Sequence, residues 1–128
     1  MTQLPPFADV LGLRVEAGAD GAPVLLMPFG AAVVGRPGFL HGGALAGLLE
    51  MAAIAGLRHA LAADGGGRVK PINVTVDYRR GGRDKDTRAE GVVTRLGMRV
   101  ANVTALAWQD DRDQPIATAR FNFLVVRE

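Results

Sequence analysis

The chain has no cysteine and, through all 128 residues, no serine. Those two absences remove the usual thiol and hydroxyl nucleophiles, so hydrolytic chemistry here must run through a carboxylate, a threonine or water. They also exclude disulfides and thiolate metal sites. Only His41 and His59 are available as imidazoles, too few for a histidine-rich centre, and no metal is expected. An excess of one charge is missing too. Fifteen Lys and Arg against thirteen Asp and Glu leave a net charge of +2, which permits a phosphate-bearing ligand but is no nucleic-acid signature. Met1-Thr2-Gln3-Leu4-Pro5-Pro6 has neither a basic start nor an apolar core, so no signal peptide is expected and the cytoplasm is the expected location.

What is present is a globular composition, 48% hydrophobic and 22% charged, long enough for one domain over residues 1–128 with a real core. The organising stretch is His41-Gly42-Gly43-Ala44-Leu45 and the Ala, Leu, Met and Ile residues that follow. Few are β-branched, so a long helix is predicted to run to Ala63, where Asp64-Gly65-Gly66-Gly67 stops it. It is apolar on nearly every side and should be a buried central helix. Glu50, Arg58 and His59 interrupt it, which argues against a membrane span.

Around it the chain reads as strands. Pro5 to Leu13 is a short helix or turn; 13–16 and 23–29 flank the turn Gly18-Ala19-Asp20-Gly21. Ala31 to Val34 is a further apolar piece before the loop Gly35-Arg36-Pro37-Gly38. Val69 to Tyr78 alternates, with Ile72, Val74, Val76 and Tyr78 on one face and Pro71, Asn73, Thr75 and Asp77 on the other. Strands are also predicted over 87–96, 100–109 and 116–126, joined by short turns as an antiparallel meander. One long helix with five or six antiparallel strands predicts an α+β layer arrangement, a sheet wrapped around the helix.

Two features carry chemistry. Glu50 has Ala46, Gly47, Ala53 and Ile54 as its neighbours one turn away, none able to pair with it. Either it sits at a wet edge as a solvated carboxylate, or a cleft holds it for a substrate. The elimination of Ser and Cys favours the second. At the helix start, Gly42 and Gly43 expose backbone N–H groups at the positive end of the macrodipole, suited to an anion or a polarised carbonyl. Phe39 and Leu40 beside them either line a pocket or staple the loop to the core.

His41-Gly42-Gly43 with an acid nine residues after the histidine resembles the signature of the hotdog-fold acyl-CoA thioesterases of the phenylacetate-degradation type. Gly38, Val74 to Tyr78, Arg95-Leu96-Gly97-Met98-Arg99, and 114–119 with Phe121 and Phe123 extend the resemblance over most of the chain. It implies a hotdog fold and hydrolysis of an acyl- or aryl-CoA thioester without a cofactor, coenzyme A being part of the substrate. Gly42, with Gly43, would polarise the carbonyl, Glu50 would act as nucleophile or general base, and His41 would order the loop or, as the alternative, act as a base. Arg79, Arg80, Arg95 and Arg99 are the phosphate-contact candidates within a basic set that includes Arg83 and Arg88; the alternative is a solvated strand edge. The chain departs from the pattern at Gly35, where relatives carry Asn or Gln, with Arg36 beside it. At Pro71 many have Ser or Thr, and Asn73, read as sharing its strand face, could substitute.

One inference follows from helix geometry. Gly42 and Gly43 lie eight and seven residues before Glu50, a separation of about 10–12 Å along a helix axis, so these amides cannot meet the Glu50 of their own chain in one small site. If both serve one thioester, two chains share each site, and a homodimer or dimer of dimers is expected, with no nucleic-acid or membrane partner. A 3-hydroxyacyl-thioester dehydratase, which usually opens its helix with Pro-Gly, and a non-catalytic acyl-CoA-binding module are the alternatives.

Overall fold

A computed structural model describes residues 4–127, so the start of the stretch read for a signal peptide lies outside the described residues. The elements are α1 (Phe7–Val10), β1 (Arg14–Ala17), β2 (Pro23–Met27), α2 (Gly42–Ala62), β3 (Arg68–Tyr78), β4 (Thr87–Leu96), β5 (Val100–Trp108) and β6 (Ala117–Val126). All six strands form one antiparallel sheet in the order β1-β2-β4-β5-β6-β3, packed against α2. This is the hotdog arrangement. The helix is long and apolar enough in composition to cross a membrane, yet 67% of its most apolar window is buried inside the chain's own fold.

Small residues let the helix settle onto the sheet. Gly91, Ala105 and Ala119 form one rung across β4, β5 and β6 on the helix side. Gly56 of α2 meets Gly91 so closely that a Cβ on Gly56 would lie 2.4 Å from the Gly91 carbonyl oxygen. Leu48, Leu49, Leu57 and Leu61 fill the space to either side with Phe123 and Leu25. Gly56→Ala should therefore cost about 1–3 kcal/mol by overpacking, read as a lower urea midpoint with an unchanged slope.

The sequence reading of one meander needs correction. Strands β4, β5 and β6 do form it, but β3 pairs with β6 rather than β4, so β3 is an outer strand of the sheet. The register also shifts between Pro71 and Asn73. Pro71 lies opposite the buried Phe123, whereas Asn73 lies opposite Asn122, so the two do not share a face. Val69 and Val76 of β3 pack against the core, but other apolar residues of the strand stay open: Ile72 is 54% exposed, Val74 46% and Tyr78 55%.

Two polar ties hold the periphery. The Arg127 guanidinium donates to the Asp64 carboxylate at 2.8 Å and to the Gly97 carbonyl at 3.0 Å, joining the helix exit to the β4–β5 turn. Arg88 of β4 donates to Glu16 of β1 at 2.8 Å, and that bond, above all, holds the Glu16 carboxyl below its usual range. A depressed folded value means the tie contributes above the unfolded pKa and is lost as pH falls through the folded one. Acidification from neutral pH should therefore lower the urea midpoint slightly more for the native chain than for Glu16→Gln. Added salt should shrink that difference.

Candidate active site

The start of α2 is built by the loop before it. The Gly35 N–H donates to the Phe39 carbonyl at 2.9 Å and the His41 N–H to the Val33 carbonyl at 2.8 Å, bringing the chain back on itself just before the helix. A Cβ on Gly35 would lie 3.0 Å from His41 Cα, so a side chain has no room here without a shift. His41 is the N-cap, in an extended conformation, and its Nδ1 accepts the Gly43 N–H at 2.9 Å. That bond requires Nδ1 to be unprotonated. Gly43 is thus committed within the helix cap. Gly42, the first helical residue, has no intrahelical acceptor for its N–H.

Tyr78, at the end of β3, donates its hydroxyl to the Gly42 carbonyl at 2.8 Å and lays its ring 3.5 Å from where a Gly42 Cβ would stand. It anchors the helix start to the outer strand. The sequence reading placed Tyr78 only on an apolar strand face; an aromatic ending the strand after the helix was the available signal.

Glu50 lies two turns along α2, half-buried, with Ala46 and Gly47 half-buried one turn before it and Ala53 and Ile54 buried one turn after. It makes no hydrogen bond or ion pair among the described residues. A carboxylate at that depth gives up part of its hydration and gains no partner in return among the described residues. Gly42 and Glu50 of one chain stay about 12 Å apart along the helix axis.

The other candidates divide. Leu40 is buried in the core, against the position a Gly82 Cβ would take, so it staples the loop. Phe39 is half-buried between two guanidiniums, Arg36 at 4.1 Å and Arg83 at 4.2 Å from its ring centre. Asn73 joins Asn122 and Asn102 in a side-chain ladder on the outer sheet face, turned away from the helix. It is not brought to Gly42 or Glu50.

Arg79 and Arg80 stand at the Tyr78 end of the sheet, held by Thr118 and Gln114. Arg95 and Arg99 stand at the other end, where Leu96 lies opposite Ala101 and Ala101 opposite Phe123. The two pairs are roughly 25 Å apart along the strands, so within one chain they cannot hold the same phosphate.

The sequence profile of the thioesterase superfamily matches residues 37–116, which include the helix start, Glu50 and strands β3 to β5. No curated protein matches the chain. Solved structures do. A Chromobacterium violaceum protein is 33% identical, with 94% of this chain and 83% of that one covered and a TM-score of 0.74. A Ralstonia eutropha protein described as phenylacetic acid degradation-related is 23% identical, with coverage of 96% and 92% and a TM-score of 0.80. A Bacillus halodurans protein solved with CoA is 19% identical, with coverage of 100% and 83% and a TM-score of 0.80.

Proposed function

The chain belongs to the thioesterase superfamily, and from that premise we propose that it hydrolyses an acyl- or aryl-CoA thioester at a site shared by two protomers. The observation that carries the reading is Glu50, a half-buried carboxylate without a partner among the described residues, in a chain lacking serine and cysteine nucleophiles. The CoA found in the Bacillus halodurans structure supports the substrate class.

In this reading the thioester oxygen accepts a hydrogen bond from the Gly42 N–H, reinforced by the positive end of α2. Glu50 of the other protomer either attacks the carbonyl carbon or takes a proton from the water that does. The carbonyl π electrons move onto oxygen and return as the C–S bond breaks. The CoA thiolate leaves and is protonated. If Glu50 attacks, a mixed anhydride forms and water opens it; if water attacks, the free acid forms directly. His41 caps the helix and keeps the Gly42 amide pointed outward.

The outer strand β3 supplies the meeting surface. Its eleven residues present an unpaired edge with exposed Ile72, Val74 and Tyr78, which a second copy would cover by antiparallel pairing. Such a two-fold brings Arg79 and Arg80 of one protomer to the same end of the joined sheet as Arg95 and Arg99 of the other. The four arginines can then contribute to one CoA site. Ile72→Asp/Val74→Asp should convert the dimer to monomer in sedimentation and remove most activity. A native chain that sediments as a fully active monomer would refute the shared site.

The direct test is free-thiol release from a panel of aryl, short-chain and medium-chain CoA thioesters. Turnover of at least one above the buffer rate is expected. CoA binding with no turnover across the panel would move the assignment to a non-catalytic module, and hydration of crotonyl-CoA to a dehydratase.

A further inference from the structure

We infer that Arg36 and Arg83, held on Phe39, form a clamp for an anionic group of the substrate, a phosphate or a carboxylate. Both guanidinium carbons lie over the ring of Phe39, at 4.1 and 4.2 Å from its centre. Phe39 is the shared platform of two cation–π contacts, which brings both guanidiniums to one ring.

The platform is held from behind. Phe39 and Arg83 are bridged through their backbones, and the Leu40 N–H donates to the Gly82 carbonyl at 2.9 Å. Gln109 grips the Arg83 backbone at both ends, accepting its N–H at 2.9 Å and donating to its carbonyl at 3.0 Å. On the other side the Arg36 carbonyl accepts the Phe39 N–H at 2.9 Å. A Cβ on Gly81 would come within 3.0 Å of the Phe39 ring, so the turn beneath the ring has no slack.

Neither guanidinium has an ion pair or hydrogen bond among the described residues, although Asp84 and Asp86 lie in the same loop. Instead, Lys85 pairs with Asp110 and Arg88 with Glu16. One cation on the ring would suffice to lock the two loops together. The second adds like-charge repulsion, which an anion between the two guanidiniums reverses. Phe39 is three residues from Gly42, so its backbone lies within about 11 Å of the carbonyl-polarising amide. Two groups of a CoA thioester have the required chemistry: the phosphates of the nucleotide, or a carboxylate at the far end of the acyl group.

The inference uses the thioester reading to identify the ligand, and its test is binding rather than turnover. Calorimetry would compare CoA with pantetheine, which lacks the nucleotide phosphates. It would also compare non-hydrolysable thioether analogues of glutaryl-CoA and pentanoyl-CoA, which differ in a terminal carboxylate. Arg36→Gln/Arg83→Gln should weaken one member of one pair by at least about tenfold, leaving the other member within twofold. Loss for CoA and both thioether analogues but not for pantetheine assigns the clamp to a phosphate; loss confined to the glutaryl analogue assigns it to the acyl carboxylate. Phe39→Leu keeps the apolar packing, removes the ring that orders both arginines, and should reproduce the loss even if the double variant fails to fold. Affinities unchanged within twofold in all variants, or no binding of any probe by the native chain, would overturn the clamp. Clamp-dependent binding by a chain that turns over no thioester would instead sink the hydrolytic reading alone.

Discussion

Glu50→Gln should lower kcat for thioester hydrolysis by at least about a thousandfold while leaving the fold, the dimer and CoA binding intact. The replacement is nearly isosteric and keeps a carbonyl acceptor. It cannot take a proton from water at neutral pH and cannot form an anhydride. General-base catalysis alone is worth about 10²–10⁴ in rate, and a lost nucleophile costs at least as much. No cysteine or serine is present to substitute. The stability side of the experiment is equally diagnostic. Because Glu50 has no partner among the described residues, the amide breaks no hydrogen bond or ion pair there. It also removes a charge from a half-buried site, so the unfolding midpoint should hold or rise. Loss of activity with loss of fold would mark Glu50 as structural. Activity within tenfold of the native chain would end the assignment.

How far the sequence could be read depended on the distance over which each feature is decided. The helix was legible from composition, and its observed span, Gly42–Ala62, ends one residue before the expected Ala63. Strand β4 was legible as well, at Thr87–Leu96 as expected. The placement of β3 was not. Which strand pairs with which is a long-range choice, and nothing within Val69 to Tyr78 says that its neighbour is β6. The shift at Pro71 escaped for the same reason, since a bulge is a relation between two strands. Reading Asn73 onto the face of Pro71 followed from strict alternation, and one extra residue reversed it.

The site was legible in identity more than in arrangement. Glu50 could be singled out by eliminating other nucleophiles, because composition is a property of the whole chain. That Gly43 spends its N–H on His41 depends on a side-chain rotamer and could not be counted from residues. The Arg36–Phe39–Arg83 cluster joins two loops remote in sequence, so Arg83 read only as one more surface cation. Residues that act alone announce themselves by type; residues that act by being brought together do so only once the chain has folded.

Gly42→Pro should lower kcat by about 10²–10³ with little change in the unfolding midpoint, the cost of removing one donor from an oxyanion site. Proline suits the position. It is the first helical residue, where proline is favoured and the N–H is unpaired within the helix. The preceding His41, at φ −70° and ψ 134°, already has the extended backbone that a following proline requires. A Cβ at residue 42 would touch the Tyr78 ring at 3.5 Å, an ordinary contact, and the carbonyl that accepts the Tyr78 hydroxyl is retained. The substitution therefore replaces the N–H with the ring Cδ, removing the donor and crowding the place of the thioester oxygen while the helix start keeps its backbone. Gly42→Ala, which adds the same Cβ but keeps the N–H, should stay near native activity. Mixed dimers then decide between one chain and two. Pairing a Gly42→Pro chain with a Glu50→Gln chain creates one site carrying both defects and one carrying neither. Purified with two affinity tags, that heterodimer should recover about half the native activity per dimer, although each homodimer is inactive. A site contained within one chain would give no recovery, because every chain present would carry a defect.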